Sequence, residues 1–170
     1  MHCQDIINKI IINRIIRELL LPKLDGFSII SLSKYDFIDL FLLSALKNGR
    51  YYVYNKEIDL KFPYKLVKAN KTYKVYKIIP TNTKVYFIKK SIFDVRPKEK
   101  ADLAIVIEQN YNKKLHNRIK QLAKHLILYD IVYDKKKCIK IGIKNIIFEN
   151  LYCCYKNRKT LVSLVGFYEL

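Results

Sequence analysis

Two amphipathic segments, each next to short strand-like runs, confine this chain to folds that combine helices and strands. Ser33–Lys47 carries apolar residues at helical spacing between the strand-like runs Phe27–Leu32 and Arg50–Tyr54. Lys113–Leu128 has the same helical spacing and follows Asp102–Glu108, whose β-branched residues are typical of a buried strand. Because helical and strand patterns alternate along the chain, the sequence predicts an α/β protein of the α+β type.

The remaining patterns predict further elements and two domains. Ile6–Leu21 is predicted to be a helix that Pro22 ends, although a pair of short strands is the alternative, and Tyr64–Lys71 to be a short helix after Pro63. Residues 1–60 are interpreted as a small N-terminal α/β domain, and residues 61–170 as a basic mixed-sheet domain flanked by helices. Its strands are predicted at Tyr73–Ile79, Val85–Lys89, Ile131–Asp134, Cys138–Phe148 and Thr160–Leu170.

The charge is large and unevenly distributed. The chain has a formal net charge of +18, and residues 1–60 carry 8 basic and 7 acidic side chains, against 25 and 8 in residues 61–170. A polyanion is the expected partner of such a surface, with nucleic acid ahead of an acidic protein or an anionic membrane. An AT-biased genome would explain abundant lysine and isoleucine, but not acidic residues that are scarce in one part only.

Lysine and tyrosine interleave in the region where the charge changes. Tyr64, Tyr73 and Tyr76 stand among lysines, and ammonium groups pair with phosphates while tyrosine rings stack on unpaired bases. The alternative is a solvated face whose tyrosines pack on a sheet. The sequence nominates as RNA-binding residues Lys65, Lys68, Lys71, Lys74 and Lys77.

Catalytic patterns are weak. Asp94, Asp102 and Glu108 could serve a magnesium-dependent nuclease, but Asn110 stands where such a site needs a lysine. The four cysteines have no C-x-x-C spacing and the four glycines form no phosphate loop, so we expect no metal site and no cofactor. His116 and His125 are nine residues apart on one predicted helix and cannot both face one site.

No uncharged apolar run approaches the roughly 18 residues that cross a bilayer, and no secretory signal follows Met1. We therefore expect a cytoplasmic protein with no membrane partner.

The order and spacing of these elements resemble an archaeal tRNA-splicing endonuclease subunit. The likeness covers roughly Asp25–Phe148 and follows the pattern of elements, without a motif match. Four segments carry it: SIISLSKYDFIDLFLLSALKNGRYYVY, PYKLVKANKTYKVY, ADLAIVIEQ and HNRIKQLAKHLILYDIVYD.

The resemblance implies a non-catalytic, structural subunit. The family's catalytic Tyr, His and Lys positions appear vacant, with Lys100 and His125 near two of them, so the chain alone is expected to be inactive. Arg118 and Lys124 join the RNA-binding set by the same resemblance. It further implies metal-independent intron removal from pre-tRNA in an (αβ)₂ heterotetramer with a catalytic subunit. The alternative function is a basic RNA- or DNA-binding protein of a ribonucleoprotein unrelated to splicing.

Overall fold

The computed structural model describes residues 24–107, 110–132 and 162–170. Predictions for the helix Ile6–Leu21 and the strand Cys138–Phe148 lie outside these ranges. The described elements are, in chain order, β1 (Ser28–Ser33), α1 (Asp36–Ala45), β2 (Arg50–Tyr54), β3 (Tyr64–Ala69), β4 (Tyr73–Ile78), β5 (Thr83–Ile88), a 3-10 helix (Ile92–Asp94), β6 (Ala101–Ile107), α2 (Lys113–Leu122), β7 (Ala123–Val132) and β8 (Val162–Glu169).

The eight described strands form one mixed sheet in the order β3-β4-β5-β2-β1-β6-β7-β8. Strands β5, β2, β1, β6 and β7 are parallel to one another, whereas β3, β4 and β8 are joined by antiparallel pairing. The predicted α/β class is therefore confirmed. Strands from both sides of residue 60 are direct neighbours, since β2 pairs with β5 and β1 pairs with β6, so the sheet runs across the expected boundary between domains.

Helix α1 covers one face of the sheet. Its buried Ile38, Leu42 and Leu43 pack in a cluster with Tyr51 and Val53 of β2. The helix begins at Asp36 and not at Ser33, because Ser33 ends β1 and its hydroxyl accepts the Tyr35 amide at 3.0 Å.

The sequence predicts a helix that runs to Lys47 and is stopped by Asn48–Gly49, and α1 ends two residues earlier, at Ala45. A Cβ on Gly49 would lie 2.6 Å from the side chain of Leu46 and 2.7 Å from the carbonyl oxygen of Phe27. Only glycine therefore lets the chain pass this close to the helix end on its way into β2.

Helix α2 covers part of the other face, and it is shorter than predicted. The pattern over Lys113–Leu128 favoured one helix, but the helix ends at Leu122 and β7 starts at once. Leu126, Ile127 and Leu128 are each at most 3% exposed, because both faces of β7 are covered next to β6. A run in which every residue is apolar is compatible with the helical repeat and with the strand repeat. Here the hydrogen-bonded pairing with β6 makes the segment a strand.

The predicted helix Tyr64–Lys71 is wrong, because this segment is strand β3 of an antiparallel hairpin with β4. The Asn70 side chain accepts the amides of Thr72 and Tyr73, both at 2.8 Å, and this local turn closes the hairpin. Pro63, which has no backbone N–H, lies before the strand, so the hydrogen bonds between β3 and β4 lose no donor.

The other strand predictions that fall on described residues are confirmed within a few residues. They correspond to β1, β2, β4, β5, β6 and β8, while Ile131–Asp134 overlaps the end of β7. Over the part of the chain that the structure describes, no helix is both long and apolar enough to cross a membrane.

Candidate nucleic-acid interface

The carboxyl ends of β1 and β2, together with the 3-10 helix and the start of α2, enclose a crevice where the sheet order changes direction. From β1 the chain moves through α1 to β2 on one side, and from β6 it moves through α2 to β7 on the other. Open α/β sheets bind ligands at this point. The crevice has a volume of about 280 Å³ and is lined by Leu32, Tyr54, Asn55, Ser91, Ile92, Phe93, Asn112 and Leu115, a set without a charged side chain.

The charged groups of α1 and of the segment after β2 contact one another. Lys56 follows β2, and its ammonium group lies 2.7 Å from the buried Asp39 carboxylate and 2.9 Å from Asp36. Asp39 also accepts the hydroxyl of Tyr51 at 2.7 Å and that of Ser31. Burial, and then the negative charge of Asp39, raises the pKa of Tyr51 well above its usual value. Lys56, Asp36 and Asp39 therefore hold α1 to the sheet.

Arg118 lies on α2 and fixes the chain between β5 and β6. Its guanidinium donates to the carbonyl oxygens of Ile92, at 2.9 Å, and Val95, and to the Gln121 side chain at 2.9 Å. An RNA contact by Arg118, as predicted, would therefore compete with these three hydrogen bonds.

The five nominated lysines of the hairpin are distributed over two faces and a turn. Lys65 and Lys77 are direct cross-strand partners and share the face opposite α1, and Lys68 pairs with Val75 on that face. Lys74 lies on the α1 side, where its ammonium group is 2.8 Å from Glu57. Lys71 lies in the turn between the two strands. The structure thus brings together only part of the predicted set.

Two cations outside the lysine-rich hairpin extend this face. The pairing register places Lys84 of β5 beside Lys77 and Arg50 of β2 beside Lys84. We call Lys65, Lys77, Lys84 and Arg50 the basic row. The sequence could have indicated Arg50 and Lys84 through the alternation of side chains along a strand. Each is next to a residue that packs with α1, Tyr51 or Val85, and so points to the opposite face.

The other nominated residues lie near the amino end of β6. The Lys124 ammonium group is 3.1 Å from the Asp102 carboxylate, which also accepts the amide and hydroxyl of Ser28 at 2.9 Å. Burial would raise the pKa of Asp102, but the hydrogen bonds from Ser28 and Lys124 outweigh it and hold the pKa below its usual value. Lys100 is exposed just before β6, and His125 Nδ1 is 3.2 Å from the carbonyl oxygen of Asp102.

No metal site emerges from the candidates. Asp94 lies in the 3-10 helix after β5, whereas Asp102 lies near the start of β6. Within the ranges that the structure covers, no three His, Cys, Asp or Glu side chains converge on a possible ion.

His116 forms a buried pair with Tyr111 at the start of α2. The Tyr111 hydroxyl and His116 Nδ1 are 2.8 Å apart, and the two residues are 5% and 6% exposed. Burial, and then the positive charge of Lys120, lowers the pKa of His116. The pair therefore favours the neutral imidazole.

We expect the melting temperature to fall between about pH 7.5 and about pH 5.5, in part because of His116. A histidine with a lowered pKa in the folded state binds its proton more readily in the unfolded chain, so stability is present above about pH 6.5 and is lost as the pH falls through the folded pKa. Thermal unfolding at a series of pH values should give a smaller decrease for H116Q than for the wild type. An unchanged slope in H116Q would contradict the assignment.

Comparison with known proteins identifies solved structures with a similar fold. No family model and no curated protein matches the chain. The fold is similar to aTrm5 in its complex with tRNALeu (TM-score 0.55, 11% identity) and to the M. jannaschii tRNA m1G37 methyltransferase (0.53, 16%). The matches cover 94% and 93% of this chain but 44% and 48% of those proteins, so the chain spans less than half their length. A putative RNA methyltransferase from Pyrococcus horikoshii matches at TM-score 0.51 and 10% identity, covering 94% of this chain and 80% of that one.

These neighbours overturn the expected endonuclease family. The solved structures that match have a Rossmann-like fold and are not tRNA-intron endonucleases, so the resemblance is wrong, together with the structural splicing subunit and the (αβ)₂ heterotetramer. The resemblance rested on the order strand, helix, strand, which a Rossmann-like sheet also produces. The comparison of Lys100 and His125 with vacant catalytic positions of that family consequently no longer applies. The chain has a Rossmann-like α/β fold of the kind seen in RNA methyltransferases.

Proposed function

We propose that the chain is an RNA-binding protein built on a methyltransferase-like fold, and that the basic row contacts the phosphates of structured RNA. The basic row carries this proposal. Four cationic side chains lie on four adjacent strands, which at about 4.8 Å per strand extend over roughly 14 Å of one sheet face. Lys65, Lys84 and Arg50 are exposed and Lys77 is partly exposed. Ammonium and guanidinium groups in such a row suit a phosphate backbone.

RNA is preferred to DNA as the partner because of the structural neighbours. One matching structure is a complex with tRNALeu, another is a tRNA methyltransferase, and a third is a putative RNA methyltransferase. The wider charge distribution supports a polyanionic partner as well, since Lys61–Lys90 contains nine lysines and no acidic residue.

Methyl transfer by this chain has less support, because the crevice does not fit the cofactor. S-adenosylmethionine, the usual methyl donor of such enzymes, carries a ribose whose hydroxyls call for a carboxylate, and nucleotide cofactors in related sheets lie against a glycine-rich turn after the first strand. Here β1 is followed by Lys34 and Tyr35 instead of a glycine-rich turn. The residue that follows β2 is Asn55, which is not a carboxylate. Among the described residues that line the crevice, none carries a carboxylate that could meet the ribose hydroxyls.

The proposal predicts salt-dependent binding to a folded RNA such as tRNA by the wild-type chain. About four phosphate contacts should weaken binding about 50- to 150-fold between 50 and 200 mM salt, because each neutralised phosphate releases counterions. Fluorescence anisotropy with labelled tRNA measures the slope. Affinity that does not change with salt would contradict the proposal. Calorimetry with S-adenosylmethionine, and transfer of a labelled methyl group to RNA, test the methyltransferase instead, and a positive result in both would favour that function.

A further inference from the structure

A second cavity lies on the face opposite α1, beside the basic row. Its volume is about 340 Å³, within the range of small-ligand sites. Its lining includes Arg50, Tyr52, Lys98, Glu99 and Lys100, so three cations and one carboxylate surround an aromatic ring. The cavity opens toward the amino ends of the strands, where Ser28, Arg50 and Ala101 lie, and it shares only Tyr54 with the described lining of the crevice at the carboxyl ends.

The topology explains why this part of the sheet is open. Helix α2 packs over β6 and β7, where Leu115, Ile119 and Leu122 cluster with Ala104 and Leu126. The chain that crosses from β5 to β6 contains a single turn of 3-10 helix, Ile92–Asp94. No described helix therefore lies over β2 and β5 on this side, and Tyr52 and Tyr86 stay partly exposed.

Two of these tyrosines form a stacked pair. Tyr52 and Tyr86 are partners on the parallel strands β2 and β5, with ring centroids 4.7 Å apart and ring planes 21° from parallel. Tyr52 lines the cavity and rests on Tyr86, which gives its ring a fixed orientation. Burial raises the pKa of Tyr52, although the Arg50 guanidinium partly offsets this, so the ring is neutral at physiological pH. A fixed neutral ring bordered by cations has the composition of a base-stacking site.

We propose that this cavity binds one unpaired nucleotide of an RNA strand, with the base stacked on Tyr52 and the flanking phosphates near Arg50, Lys98 and Lys100. Charge complementarity favours an anionic ligand, because three cations and a single carboxylate, Glu99, line the cavity. Lys84, next to Arg50 on the sheet, extends the positive charge beyond the cavity. An apolar peptide or a second apolar surface would leave these cations without counter-ions. The inference rests on the proposed RNA binding and names the form of RNA that is recognised.

The test compares two RNAs that share one duplex, of which one is blunt and the other carries a short unpaired 3′ tail with 2-aminopurine. Stacking on an aromatic ring strengthens binding by about 5- to 150-fold per base, so the wild type should prefer the tailed RNA by that factor. It should also quench the 2-aminopurine fluorescence. Y52L should lose both effects while it still binds the blunt duplex, and Y52F should keep both because its ring still stacks.

A matched control separates stacking from general destabilisation. Tyr64 is exposed on the opposite face of the hairpin, so Y64L removes a tyrosine without changing the cavity, and it should behave like the wild type. Equal affinity of the wild type for the two RNAs would overturn this inference and leave the proposed function intact. Failure of the wild type to bind either RNA would overturn the proposed function itself. Quenching that persists in Y52L would place the unpaired base elsewhere and also overturn the inference.

Discussion

Replacing Asp39 with alanine is expected to lower the free energy of unfolding by about 3–5 kcal/mol, the usual effect of removing one partner of a buried ion pair. Asp39 is fully buried and accepts the Lys56 ammonium group at 2.7 Å and the Tyr51 hydroxyl at 2.7 Å. Without the carboxylate, the Tyr51 hydroxyl loses its acceptor inside the core. Urea denaturation monitored by circular dichroism measures the loss.

A neighbouring aspartate provides the matched control. Asp36 contacts the same ammonium group at 2.9 Å, but its side chain is 58% exposed. D36A should therefore lower the free energy of unfolding by no more than about 1 kcal/mol. The double variant D39A/K56M should be more stable than D39A, because no cation then remains beside the apolar wall. Equal losses in D39A and D36A would show that burial of the carboxylate does not govern the stability of this network.

The sequence predicts the described fold best where local pattern and tertiary contacts agree. Strand β2 and the α/β class follow from periodicity alone, and the last turn of α1 follows from the Asn48–Gly49 stop. Residues Ala123–Leu128 fit a helix or a strand equally well, and only the parallel pairing with β6 decides between them. Segment β3 is likewise a strand because of tertiary contacts, namely its pairing with β4 through the turn at Asn70.

The candidate site was only partly predictable, because it is assembled from distant segments. The lysine-rich stretch nominates Lys65 and Lys77, but Arg50 and Lys84 join them through pairing between strands that are far apart in sequence. Alternation along the predicted strand places Lys74 and Lys77 on opposite faces, but spacing does not reveal that Lys74 is paired with Glu57. The family resemblance failed for the same reason, since the order of elements does not determine how strands pair.

Removing three charges from the basic row is expected to weaken RNA binding about 10- to 100-fold near physiological salt, at roughly 0.5–1 kcal/mol for each exposed phosphate contact. The variant K65Q/K77Q/K84Q leaves Arg50 and the stacked tyrosines in place. Because each lost phosphate contact removes about 0.9 from the slope of log affinity against log salt, the slope should decrease in magnitude by about 2.7. The loss should be similar for RNAs of different sequence, since phosphate contacts carry no sequence information.

The control removes the same charge from other surfaces. Lys61, Lys113 and Lys120 are exposed and lie outside the basic row, in the segment before β3 and on α2. If net charge alone drew the RNA, K61Q/K113Q/K120Q would weaken binding as much as the triple variant of the row. If the row is the contact surface, the control should keep nearly the wild-type slope, since charges that do not neutralise a phosphate release no counterions. Equal slopes in the two variants would therefore contradict a defined interface and leave only diffuse attraction.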